Sequence, residues 1–200
     1  MTITWHIKPL STPAVIRNCS HCGGKSAFAC SSKFRVNAQQ RSLDVWLIYN
    51  CEKCSSTWNM AILSRVRPQE IDTELYDGLL ENNAELALRY AFDADLLRRN
   101  NASACYDNVT YEVEGDNFSI EALQTEDITL HIRSPYNLQL RLDKLLREKL
   151  GISRRTWETC LQSGAVTSND FGFRTDKTKL TLKGDMTLYF KQATAGLPDM

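Results

Sequence analysis

The sequence predicts an α+β chain in three segments: a β-rich, cysteine-bearing stretch at 1–67, a helical and β-hairpin stretch at 68–137, and two helices on a small sheet at 138–191. Three observations carry this. Two Cys-x-x-Cys pairs bracket alternating strand patterns in the first segment. The apolar period then changes from two residues to the three-to-four of a helix. Charge also falls in blocks: the 200-residue chain has no formal net charge, yet 1–67 carries 9 Lys/Arg against 2 Asp/Glu, 68–137 carries 4 against 15, and 138–191 carries 11 against 6. Two basic ends flanking an acidic middle could face a polyanion together, or could be neutralised by that middle within one molecule.

In the first segment, Cys19-Ser20-His21-Cys22 is followed after 28 residues by Cys51-Glu52-Lys53-Cys54. Zinc favours four soft ligands in a tetrahedron, and two thiolates two residues apart grip one edge of it from a tight turn. Gly23-Gly24 suits such a turn. Between the pairs, Phe34 to Val36 and Leu43 to Tyr49 alternate as strands, and Thr57 to Leu63 leaves the second pair as another. The competing chemistry is a redox dithiol, which would be a single pair within a βαβ pattern, absent here. His21 could replace one cysteine, though four make this unnecessary. Cys19, Cys22, Cys51 and Cys54 are therefore the expected ligands of one zinc, structural because no coordination position stays open. The arrangement resembles a zinc ribbon. Cys30, Cys105 and Cys160 are expected as apolar filler.

The middle segment opens with Pro68 at a first helical position, followed by Ile71, Leu75 and Leu79 on one face. Asn82-Asn83 interrupts. Ala84 to Phe92 and Ala94 to Arg99 read as two further short helices, the second capped by Asp93. Val109 to Val113 and Ile128 to Ile132 alternate as strands, and Tyr90, Phe92 and Tyr111 fit core positions better than a base-stacking platform.

In the last segment Leu142, Leu145, Leu146 and Leu150 share one helical face, with Lys144 and Arg147 opposite. Gly151 stops this helix. Ser153 caps the next, Ile152 stands at staple spacing from Trp157, and Trp157, Cys160 and Leu161 form its core face. Arg154 and Arg155 lie in its first turn, where free N–H groups and the helix dipole favour a phosphate. Val166, Phe171, Phe173, Leu180, Leu182 and Met186 to Phe190 read as short strands. Read from charge alone, the basic residues form a solvated surface, with Asp143 and Arg147 pairing at i,i+4. Four matches in order, Arg141-Leu142-Asp143-Lys144, Ser153-Arg154-Arg155, Ser163 to Thr167 and Lys183-Gly184-Asp185, resemble the S4 domain of ribosomal proteins, pseudouridine synthases and tyrosyl-tRNA synthetases. The resemblance implies RNA contact through Arg141, Lys144, Arg154 and Arg155. It departs at Ser168-Asn169-Asp170-Phe171-Gly172, one residue longer than the usual turn.

No apolar run approaches the ~18 residues a membrane helix needs. Seven cysteines, an odd number, and the lack of a basic-plus-apolar leader predict a reducing cytoplasm. His6, His21 and His131 lie in dissimilar contexts without a nucleophile motif, and no phosphate loop is present, so no enzymatic role is expected. The run from the first knuckle through Phe34 to Asn37, Leu43 to Tyr49, the second knuckle and Trp58 to Met60 resembles an uncharacterised bacterial family known only as a domain of unknown function. The expected function is non-catalytic binding of structured RNA, ribosomal or transfer RNA, in translation or RNA quality control. The alternatives are an adaptor whose ribbon docks a protein partner and a DNA-binding regulator using Arg154 and Arg155.

Overall fold

Alternation of Ile3, Trp5 and Ile7 makes the first strand, β1 (Thr2–Pro9), with one face buried and the other open. The computed structural model describes residues 1–39, 42–119, 122–123, 125–170 and 180–192. Four further strands follow: β2 (Ala14–Cys19), β3 (Gly24–Gln39), β4 (Ser42–Cys51) and β5 (Thr57–Val66). A 3-10 turn (Pro68–Glu70) leads into α1 (Thr73–Leu80), α2 (Ala84–Ala91) and α3 (Ala94–Arg99). Then come β6 (Ser103–Cys105), β7 (Tyr111–Glu114), β8 (Ile128–Arg133) and β9 (Leu140–Arg141). The last elements are α4 (Leu142–Leu150), α5 (Arg154–Gln162), β10 (Val166–Thr167), β11 (Thr181–Leu182) and β12 (Met186–Phe190). Among the described residues no helix is long and apolar enough to cross a membrane.

The chain divides into two units, Leu10–Thr110 and a discontinuous unit of Met1–Pro9 with Tyr111–Met200. They cut across the three segments read from the sequence. The charge blocks dissolve with them: from the sequence, Leu10–Thr110 holds 11 Lys/Arg and 11 Asp/Glu, and the other unit 13 of each. The acidic helices belong to the same unit as the basic strands, so the second of the two electrostatic readings above, neutralisation within one molecule, describes each unit's net charge.

The Leu10–Thr110 unit is an antiparallel sheet in the order β5-β4-β3-β2-β6. Leu43, Val45, Leu47, Tyr49 and Cys51 line the buried face of β4, as period-two alternation requires. Leu79, Ala87, Ala91, Leu96 and Leu97 from the helices join them in one core. Expected as one helix from Pro68, the first helical stretch breaks after a 3-10 turn. Asp72 then restarts it by accepting the Leu75 N–H at 3.1 Å. The Asn82-Asn83 interruption has a tertiary use: Asn82 Oδ1 accepts the Phe34 N–H at 2.7 Å, where β3 bulges between Cys30 and Phe34. Asn100 pairs similarly with the edge strand β5. Its side chain accepts the Ala61 N–H at 2.9 Å and donates to the Ala61 carbonyl at 3.0 Å, covering edge groups that would otherwise be open to another chain.

The other unit has a five-stranded sheet in the order β10-β12-β8-β1-β7 and a small β9–β11 pair. β1 and β8 run parallel, with Trp5 opposite Ile132, and the remaining pairs are antiparallel. Leu142, Leu145 and Leu146 of α4 and Trp157, Cys160 and Leu161 of α5 are buried, as their spacing predicts. Ser153 Oγ accepts the Thr156 N–H at 3.1 Å, which confirms the cap. The expected strand positions Phe171 and Phe173, and Gly172 of the turn, lie outside the described residues. Ser168 and Asp170 of that turn are described: Asp170 Oδ2 accepts the Thr187 N–H at 2.7 Å and the Ser168 hydroxyl at 2.8 Å, tying the turn to β12.

Of the three spare cysteines, Cys160 is buried and half-buried Cys30 packs against the core of its unit, as filler should, whereas half-buried Cys105 has its thiol 3.5 Å from Asp107 Oδ2. Burial raises the Cys160 thiol pKa, which lowers the reactive thiolate fraction. Cys160 should resist a thiol reagent at neutral pH in the native protein and react fully on denaturation. Mass-spectrometric mapping checks this, and rapid native labelling of Cys160 would contradict the packing.

Candidate functional site

Two tight turns at one end of the β5-β4-β3-β2-β6 sheet bring four thiols together. In the first, Cys19 closes β2 opposite Gly24 of β3, and the Gly23 N–H returns to the Cys19 carbonyl at 3.0 Å. Gly23 has φ +71°, which a glycine adopts without steric cost. In the second, Cys51 closes β4, the Ser55 N–H donates to the Cys51 carbonyl at 2.8 Å, and the Cys51 N–H donates to the Ser56 carbonyl at 2.9 Å. Ser55 takes the left-handed position there, with φ +60°. Cross-strand pairing sets one turn beside the other, since Phe28 of β3 stands opposite Cys51 and the Glu52 N–H donates to the Ala27 carbonyl at 3.0 Å.

The sulfur atoms of Cys19, Cys22, Cys51 and Cys54 all lie within 4.8 Å of one another. Cys19 and Cys54 are 3.6 Å apart, and Cys22 and Cys51 3.9 Å. A tetrahedral ion with metal–sulfur bonds of about 2.3 Å requires sulfur separations of roughly 3.8 Å, which these two edges bracket. Cys19 and Cys51 are buried and Cys22 and Cys54 exposed. The Ser56 hydroxyl lies 3.3 Å from Cys19 and 3.1 Å from Cys54. Helped by the Cys22 backbone N–H, it lowers the Cys19 pKa to about 6. It also lowers Cys54, together with its own backbone N–H. Cys22 is pushed up to about 12, first by Cys54 and then by desolvation. Four thiolates at these distances would repel one another, and a divalent cation would remove that conflict by binding all four. The donor set thus fits a metal ion. His21 is not part of the cluster.

A family model described as "Protein of unknown function (DUF1062)" matches residues 36–171, more than half of the chain. The chain belongs to this family. No curated protein and no solved structure matches it. The DUF1062 match takes in the second cysteine pair, both helices of the last segment and the four cations expected to meet RNA; the first cysteine pair precedes it.

All four of those cations, Arg141, Lys144, Arg154 and Arg155, are exposed on α4, α5 or the residue before α4. Three are already engaged. Arg154 Nε donates to Glu158 at 2.8 Å, and Lys144 reaches Glu148 at 3.7 Å. Arg141 forms a two-point contact with Asp143, from Nε at 2.8 Å and Nη2 at 2.5 Å. Asp143 is buried; desolvation alone would raise its pKa, but the Arg141 guanidinium outweighs it and holds the carboxyl below the usual range. Spacing alone suggested Arg147 as its partner; Arg147 instead donates from Nε to the Asp143 carbonyl at 3.2 Å. A planar guanidinium fork matches a carboxylate two residues away better than a single side-chain hydrogen bond would at i,i+4. Asp185 also has a structural bond, accepting the Ser134 N–H at 2.8 Å and Arg133 Nη1 at 2.9 Å.

Proposed function

We propose that this chain is a non-catalytic binder of structured RNA, ribosomal or transfer RNA, acting in translation or RNA quality control, with one structural zinc held by Cys19, Cys22, Cys51 and Cys54. The observation that carries the RNA reading is the division of α4 and α5 into a buried apolar side and an exposed side bearing Lys144, Arg154 and Arg155, with Arg141 just before it. Two of the four S4-like motifs, Arg141 to Lys144 and Ser153 to Arg155, fall at the starts of these helices. Exposed ion pairs such as Arg154–Glu158 contribute about 0–1 kcal/mol, so a phosphate can displace the carboxylate at little cost. The sulfur separations favour zinc over a redox role because they suit a closed tetrahedral ion.

The neutral balance of both units supports a second reading, an adaptor that docks a protein partner through the ribbon, since no unit-wide field attracts a polyanion. The two readings separate on the double substitution Arg154→Ala with Arg155→Ala. An RNA binder keeps its fold and metal, binds folded RNA hairpins more weakly, and loses about 0.7–0.9 from the log–log salt slope for each phosphate contact removed. A DNA regulator loses about 1–3 kcal/mol of preference among duplex sequences for each arginine reading a base edge. An adaptor is unchanged toward both. Salt titrations of wild type and variant on RNA hairpins and duplex DNA measure this, and weak, substitution-insensitive RNA binding would remove the RNA reading.

A further inference from the structure

Beside the four cysteines lies a polar pair that the fold itself does not use. Val15, Arg17 and Cys19 share one face of β2, and the antiparallel register sets Ser26 of β3 directly opposite Arg17. Ser26 is buried, and its hydroxyl has no hydrogen-bond partner among the described residues. Nε and Nη1 of Arg17 are buried and equally unpartnered. The guanidinium is held in place by aromatic rings, 4.1 Å from the Trp58 centroid and 5.8 Å from that of Phe28. Trp58 is itself braced against Tyr49, with centroids 5.3 Å apart.

Three unpartnered polar atoms on two adjacent residues are costly unless something else accepts their hydrogen bonds. Four thiolates around a divalent cation leave two negative charges in excess and are strong acceptors. Arg17 is two residues from Cys19 on the same strand face, and Ser26, opposite Arg17, is two residues from Gly24, which pairs with Cys19. The geometry points to Arg17 and Ser26 as positioning residues of the metal centre: Arg17 balances the excess thiolate charge from the Cys19 side, and Ser26 donates its hydroxyl to the Cys22 thiolate. The inference rests on the metal-binding reading of the four cysteines. It also assigns Trp58 a task, holding the cation by its ring face.

The test is competition for zinc between the full-length reduced protein and a chromogenic chelator, repeated with cobalt(II), whose thiolate charge-transfer absorption reports coordination. Wild-type protein that binds no metal would sink the metal reading itself. With metal bound to wild type, Arg17→Gln and Ser26→Ala should each lower affinity about 10–100-fold, the usual cost of removing a group that orients a ligand. Arg17→Lys keeps the charge and should recover part of the loss. Equal losses in Arg17→Gln and Arg17→Lys would mean that Arg17 only packs on Trp58, and would overturn the proposal. So would Ser26→Ala at wild-type affinity, and this near-isosteric variant decides the matter even if Arg17→Gln fails to fold.

Discussion

Replacing Cys51 by Ser is expected to strip the metal from the protein and unfold the cysteine end of the β5-β4-β3-β2-β6 sheet. Cys51 is 2% exposed, and its N–H already closes the second turn, so the substitution leaves the backbone room but removes a thiolate. Structural zinc in small modules supplies about 10–16 kcal/mol of apparent binding energy, comparable to the ~5–15 kcal/mol net stability of a whole domain. The consequence should stay local. Leu43 and Val45 lie at the opposite end of β4 from Cys51 and pack with Leu79, Ala87 and Leu97, while Cys19 and Cys51 border the same core at its cysteine end. Metal analysis should find one zinc per wild-type chain and none in the variant. Hydrogen exchange should lose protection around residues 19–30 and 49–58 and keep it in α1–α3. A variant as metal-loaded and as protected as wild type would refute this, as would a fully folded, metal-free wild type.

The second large effect is expected at Gly115, just after β7. Its φ is +125°, and a Cβ there would stand 2.2 Å from the Thr4 carbonyl oxygen and 3.1 Å from Trp5 Cδ1. The nearest atom is backbone of a central strand, so it cannot swing aside. Moving β1 would disturb its pairings with both β7 and β8, and also the bond from Trp5 Nε1 to the Asp116 carbonyl at 2.9 Å. Gly115→Ala should therefore destabilise its unit by roughly 3 kcal/mol or more, combining backbone strain with overlap. For a domain of this size that is a fall in Tm of roughly 12 °C or more. Urea and thermal denaturation measure it, and a loss within about 0.5 kcal/mol would show that the close approach is not real.

Much of the local architecture was legible because its causes lie within a few residues. Asp93 and Ser153 cap the helices they precede, and the apolar faces of α4 and α5 follow from spacing. The cysteine pairs are legible for the same reason, since each sits in one short turn. Alternation in β1 was also present in the sequence, as Ile3, Trp5 and Ile7, but it was not among the expected elements. β2 was missed as well: its pattern is broken by Arg17, a cation on the inward face whose reason is tertiary, namely stacking on Trp58. Arg17 and Ser26 carry no sequence motif. They become a candidate pair only when β2 and β3 are in register.

What the sequence determined by itself is the set of pieces with short-range causes: the two knuckles, the helices with their caps and faces, and the α+β class. Only the tertiary structure decided how they are shared out. β1 pairs in parallel with β8, and parallel neighbours cannot be joined by a tight turn; here the whole of Leu10–Thr110 and β7 lie between them. That pairing assigns the first nine residues to the unit of α4 and α5 rather than to the cysteine segment that follows them in sequence. It also redistributes the charge blocks: net charge counted along the chain describes neighbours in sequence, whereas electrostatic energy depends on separation in space, and by sequence count each unit holds as many acidic as basic residues.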